Sequence, residues 1–216
     1  ARTSGVNGGT GAYLIMAGLA QELVHTAVPF TTAIDGALFG RITKVNAAGA
    51  QLTCVVNPHA PSGYFTAIEQ LRELASDLTG VLLVDEAYAD FVDTQDAADA
   101  TELVRERDNV LILRTFSKGY SLAGLRLGYL LGHPSLIQPI LEKTRDSYNV
   151  DAISQAVGLA SIRDQDYAQQ TWAAVRKDRE VLAGGLHALG FSVAASQTNF
   201  LLAKAPQDAG AESRYQ

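Results

Sequence analysis

A single cysteine, Cys54, among 216 residues excludes an internal disulfide framework and fits a reducing compartment. It stands in the apolar run Leu52-Thr53-Cys54-Val55-Val56, where a buried small residue is expected. The four histidines (His25, His59, His133, His187) are scattered, with no close pairs and no cysteine cluster, so no metal site is expected. No apolar stretch reaches roughly 18 residues, so no membrane span is expected. No basic-then-apolar start resembles a signal peptide, and the cytoplasm is the expected location. A net charge of −6 without any basic stripe argues against nucleic-acid binding.

What is present is an ordinary soluble profile, 47% hydrophobic and 19% charged, long enough for one α/β domain or for one domain and part of a second. Residues 1–12 read as a Gly/Thr/Ser-rich loop, with a phosphate-cradling loop as the sharper alternative. A helix of small and apolar residues is expected from Ala12 to Glu22. Leu52–Val56, Val81–Val84, Val110–Leu113 and Leu127–Leu131 are short apolar runs without clean alternation, as in buried parallel strands. Thr66–Leu78 places Ile68, Leu71, Leu74, Ala75 and Leu78 on one helical face. The acidic stretch Asp93–Ala100 reads as a surface loop or a solvated helix start. Helices are expected over Ser135–Tyr148, Asp151–Ile162 and Tyr167–Leu189, the last ended by Gly190. Phe191–Ala195 and Asn199–Ala203 read as two strands. The pattern predicts an α/β fold: a large domain over 1–160 and the start of a small α+β domain over 161–216.

Three strand ends carry chemistry, and ligands of parallel α/β sheets collect at the carboxyl ends of strands. After Val110–Leu113 comes Thr115-Phe116-Ser117-Lys118-Gly119. A lysine there becomes a Schiff-base former when burial or neighbouring cations lower its pKa, although a surface loop would carry the same residues. Arg126, framed by leucines, needs a partner for its charge, either a bound phosphate or a carboxylate. Thr115 and Ser117 could donate to the same phosphate. Val81–Val84 ends in Asp85-Glu86-Ala87-Tyr88. Asp85 against a pyridine nitrogen would hold it protonated, and Tyr88 can return to the same pocket. The rival is a Walker-B-like strand binding magnesium, but the chain has no G-x-x-x-x-G-K-[ST] loop. Asn57 follows the first strand in N-P-H-A-P-S-G, where a stiffened Pro-bounded turn is the alternative and His59 reads as a spacer.

Taken together, N-P-H-A-P-S-G, V-D-E-A-Y-A-D-F, T-F-S-K-G-Y-S-L-A-G-L-R-L-G-Y and S-Q-T-N-F-L-L-A resemble the fold-type-I aminotransferases. Within them they resemble most the histidinol-phosphate aminotransferase branch, over roughly residues 13 to 204. The resemblance implies pyridoxal 5′-phosphate (PLP) bonded to Lys118, which then shuttles the substrate proton. It implies Asp85 on the pyridine nitrogen, Asn57 and Tyr88 on the phenolic oxygen, and Thr115, Ser117 and Arg126 on the phosphate. It further implies a homodimer acting on an amino acid and 2-oxoglutarate in histidine biosynthesis. Aromatic aminotransferases and threonine-phosphate decarboxylases share these motifs, and a noncatalytic chain is a further alternative. Ser154 and Gln155 match a family helix start and read as structural.

The family is longer at both ends. The expectation is therefore a fragment without the Gly-Ser phosphate loop or the late substrate-carboxylate arginine, and a poor enzyme as it stands. Tyr13 corresponds to a tyrosine beside the family's ring-stacking position, which falls near Thr10.

Overall fold

The computed structural model describes residues 49–93, 99–143 and 150–206. The expected loop over 1–12, the helix Ala12–Glu22 and Tyr13 lie outside the described residues, as does most of the acidic stretch Asp93–Ala100.

Four strands form one sheet in the order β1 (Leu52–Val56), β2 (Val81–Asp85), β3 (Val110–Thr115), β4 (Gly128–Gly132). The first three are parallel, with Val56 opposite Asp85 and Asp85 opposite Leu113. β4 departs from expectation: it runs antiparallel to β3, Thr115 facing Gly128, and its residues are only half-buried. The reason is the short connection over 116–127. A parallel return takes a crossover, usually a helix that packs back on the sheet, and this connection of a bare dozen residues holds only a 3₁₀ turn at Ala123–Leu125. Reversing β4 brings its start, and Arg126 with it, to the same sheet edge as the end of β3.

The helix α1 (Ile68–Asp77) forms where the apolar spacing predicts it. Gln70 Oε1 accepts from the Ala67 N–H at 3.2 Å, satisfying a donor at the helix start. Its stripe of Ile68, Leu71, Leu74 and Ala75, with Leu78, packs on Val55, Leu82, Val84, Val110 and Ile112. Leu103 of the short helix α2 (Thr101–Glu106) completes that core. Full burial of each such aliphatic side chain contributes about 1.5–3 kcal/mol. The other sheet face holds Leu52, Leu83, Leu111 and Leu113, against which Leu136, Ile137 and Ile140 of α3 (Pro134–Lys143) pack. The expected continuation of α3 to Tyr148 lies outside the described residues. Cys54 points to this second face and is exposed, not buried as expected, because it stands on the outermost strand of the described sheet, where the cluster on that face takes in Leu52 but not Cys54.

Asp151 caps α4 (Ala152–Arg163), its Oδ1 accepting from the Ser154 N–H at 2.9 Å. The longest helix, α5 (Gln165–Ala188), is followed by Gly190 at φ 83°, a left-handed conformation that suits a glycine stop. The two strands expected after it shrink to β5 (Ser192–Val193) and β6 (Ala203–Lys204), paired antiparallel in a second sheet. Between them Ser196 and Thr198 take over the backbone. Their hydroxyls lie 2.8 Å apart, and both donate to the Phe200 carbonyl, at 2.7 and 3.0 Å. Short hydroxyl side chains compete in this way with a sheet ladder.

Candidate active site

Asn57, Asp85 and Thr115 sit at or just past the carboxyl ends of three parallel strands, and the reversed β4 adds Arg126 at that edge. All seven residues expected to contact a cofactor therefore lie on one edge of one sheet.

Lys118 follows β3 in a loop tied down at several points. Thr115 Oγ1 accepts from the Ser117 N–H at 3.1 Å and lies 3.4 Å from the Leu127 carbonyl, so this buried hydroxyl braces the loop. The Phe116 N–H reaches the Leu127 carbonyl at 3.0 Å, and the Leu122 N–H reaches the Phe116 carbonyl at 3.0 Å. Lys118 Nζ stands over the Tyr88 ring, 5.7 Å from its centroid, close enough for a cation–π contact. Tyr88 meets the edge of Phe200, with ring centroids 5.0 Å apart. Sequence reasoning does not single out Phe200. The motif S-Q-T-N-F is visible, but nothing local places it against Tyr88.

Two non-glycine residues in this loop, Ser121 (φ 57°) and Arg126 (φ 54°), hold left-handed backbone conformations. Each costs about 1–2 kcal/mol, and such strain clusters at functional sites. Arg126 donates from Nη1 to the Ala123 carbonyl at 2.9 Å. The buried Ser154, 3.4 Å by its hydroxyl from the Leu125 carbonyl, supports the same turn.

Asp85 ends β2 with Oδ1 accepting from the Ala87 N–H at 3.1 Å. Burial pushes its carboxyl above the usual range, against the pull of that backbone bond. A cationic or N–H partner would stabilise the charged form there. Glu86, next to it, is engaged elsewhere, paired with Arg114 at 2.8 Å and only 5% exposed. Arg114 also reaches Asp99 at 3.2 Å and bonds the Tyr129 side chain. A glutamate held by an arginine does not support the magnesium reading of Asp85-Glu86.

Asn57 is buried, and its amide closes on Thr66: Oδ1 accepts from the Thr66 N–H at 2.7 Å and Nδ2 donates to the Thr66 carbonyl at 3.0 Å. It braces the loop over 57–66, with one of the two Nδ2 hydrogens spent on Thr66. His59 Nδ1 lies 2.8 Å from Ser62 Oγ, a local brace that agrees with a spacer role.

These residues fit a phosphorylated pyridine cofactor. Ser117 Oγ is buried without a hydrogen-bond partner among the described residues, an orphan donor beside the lysine. The donor set is also of the right chemistry: hydroxyl and guanidinium for a phosphate, and a desolvated carboxylate for a ring nitrogen. Gly119 packs tightly beside the lysine, because a Cβ there would collide with the Asp90 side chain.

A family model described as aminotransferase class I and II matches residues 36–213. Histidinol-phosphate aminotransferase 1 of Nostoc sp. is 48% identical over 175 residues, covering 81% of this chain and 48% of that protein. The Geobacter sulfurreducens histidinol-phosphate aminotransferase is 42% identical over 160 residues, 74% of this chain and 44% of its own. Among solved structures, histidinol-phosphate aminotransferase from Sinorhizobium meliloti, in complex with pyridoxal-5′-phosphate, superposes with a TM-score of 0.73 at 31% identity. That match covers 79% of this chain and 47% of the other. The chain spans about half the length of the curated relatives it matches.

Proposed function

From the premise that the chain belongs to the class I and II aminotransferases, we propose that it carries the PLP-binding part of a histidinol-phosphate aminotransferase. The observation that supports this most is Lys118 over the Tyr88 ring, on the sheet edge that Asp85 also occupies. When bound, PLP supplies an electron sink for the carbanion at the substrate Cα. The residues of this chain do the rest. Lys118 bonds the cofactor covalently and, once freed, holds and returns the proton of the substrate Cα. Asp85 keeps a pyridine nitrogen protonated, and its own burial makes that partnership favourable. Ser117 and Arg126 take the phosphate, with Thr115 setting the shape of their loop. Asn57 and Tyr88 orient the phenolic oxygen.

The amino donor proposed is histidinol phosphate and the acceptor 2-oxoglutarate, in a cytoplasmic homodimer of histidine biosynthesis. The names of the two curated relatives and of the solved neighbour support this substrate. The division into a large domain to about residue 160 and the start of a small one is part of the same reading, supported by two separate sheets.

Borohydride reduction after incubation with PLP tests the assignment. One pyridoxyl group on Lys118 is expected, and label on Lys143, Lys177 or Lys204 instead would overturn it. An assay with histidinol phosphate and 2-oxoglutarate tests the substrate. Turnover of aromatic amino acids alone would move the protein to another branch of the family.

A further inference from the structure

One face of α5 carries Gln165, Trp172, Arg176 and Arg179, spaced by seven, four and three residues so that all lie within one stripe. Gln165 Nε2 reaches the Tyr120 hydroxyl at 3.2 Å. The other three reach backbone carbonyls beside site residues. Trp172 Nε1 donates to the Gly119 carbonyl at 2.8 Å, and its ring meets the Tyr120 ring edge-on at 5.5 Å. Arg176 Nη1 lies 3.4 Å from the Asp90 carbonyl. Arg179 Nη1 donates to the Phe91 and Thr198 carbonyls, both at 3.1 Å, while Nη2 pairs with Asp93 Oδ1 at 2.8 Å. Gln197 closes this set, donating to Asp93 Oδ2 at 3.0 Å and accepting from the Asp93 N–H at 2.7 Å.

Gly119 follows Lys118, Asp90 and Phe91 lie just past Tyr88, and Thr198 stands two residues before Phe200, which packs on Tyr88. The stripe therefore grips both partners of the lysine–tyrosine contact through their neighbours. Arg179 is only 3% exposed, and a buried guanidinium is costly unless it holds something in place. The proposed chemistry uses none of these four side chains directly.

We propose that α5 is the positioning element of the site: Trp172 sets Lys118, and Arg179 sets Tyr88 and Phe200, each through adjacent backbone carbonyls. This rests on the reading of Lys118 as the cofactor-bonding lysine. Trp172 is the one tryptophan of these 216 residues, and the emission lost in Trp172→Phe reports on this contact.

The test uses the full-length protein with Trp172→Phe, Arg179→Met and Arg179→Lys. For each, the rate of pyridoxyl labelling at Lys118 is measured per folded molecule, beside the thermal midpoint. Trp172→Phe keeps a ring against Tyr120 but removes the N–H. It should slow labelling about fivefold, as for the loss of one hydrogen bond. Arg179→Met should slow it by about tenfold or more, and Arg179→Lys should restore part of the loss. PLP binding should also quench the part of the wild-type emission that is absent in Trp172→Phe. Lower midpoints with unchanged labelling rates in both Trp172→Phe and Arg179→Met would make α5 a merely structural support and overturn the inference. Should Arg179→Met fail to fold, Trp172→Phe decides alone. No label on Lys118 in the wild type would overturn the reading of the lysine and this inference with it. Label there with unaltered variant rates overturns the inference alone.

Discussion

On β2, Leu82 and Val84 point to one face of the sheet while Leu83 and Asp85 point to the other, and the two faces are finished differently. The first is closed by α1 and α2, and its Leu82, Val84, Val110 and Ile112 are all 0% exposed. On the second, Leu83, Leu111 and Leu113 retain 4–7% exposure, Cys54 is open, and a carboxylate with a raised pKa ends the strand. The first face is closed at its centre by apolar side chains alone. The other is closed less fully, and a desolvated acid ends its strand.

The largest test of this contrast is Asp85→Asn. Turnover should fall by on the order of a hundredfold or more, since a neutral amide cannot hold a pyridinium proton. The cofactor-free protein should nevertheless gain stability at neutral pH. Burial raises the folded-state pKa of Asp85, so the folded form loses stability as pH rises through the interval above the ordinary value, and asparagine carries no such penalty. Steady-state kinetics and denaturant unfolding without PLP measure the two effects. Loss of both activity and stability would mean that Asp85 supports the strand rather than the cofactor.

A paired truncation on β3 sharpens the comparison. Ile112→Ala, on the closed face, should cost about 2–5 kcal/mol. Leu111→Ala, on the other, should fall at the low end of that range, because its surroundings can relax into the void. Equal losses by urea unfolding would show that the two faces are packed alike.

The smallest effect concerns Asp90, which lies behind the lysine loop with Arg114, Glu86 and Tyr120 around it. Burial pushes its carboxyl up to about 6, Arg114 opposing and Glu86 adding to the shift. Between the ordinary 3.8 and that value the folded form keeps a proton the unfolded form has lost. Stability should therefore decline as pH rises across this interval, with the cost constant above it. Asp90→Asn should flatten the decline by the share of one proton, as read from thermal midpoints across the range. An unchanged slope would place the titration on Glu86 or Asp85.

Much of this arrangement is legible in the chain alone. The apolar runs at 52–56, 81–84 and 110–113 become β1 to β3, and the stripe Ile68, Leu71, Leu74, Ala75, Leu78 becomes the cover of the closed face. Asp85 and Lys118 stand out because each follows an apolar strand, a local feature. The failures have a common origin. The antiparallel course of β4, the exposure of Cys54 and the shortness of β5 and β6 depend on what a segment meets, and periodicity carries no record of that. Ser196 and Thr198 read as strand-compatible residues until their hydroxyls are seen to close on Phe200.

The sequence by itself determined most of the strand and helix segments and marked out the candidate reactive groups. Both follow from spacing along the chain and from side-chain chemistry, which need no partner to be defined. Only the tertiary structure decided that Arg126 shares an edge with Lys118, that Phe200 packs on Tyr88, and that Trp172 and Arg179 hold the carbonyls beside them. The first is a strand direction that goes with a connection lacking a crossover helix, and the others are contacts between residues far apart in the chain. A one-dimensional pattern holds the components of such contacts, and packing alone selects which of them meet.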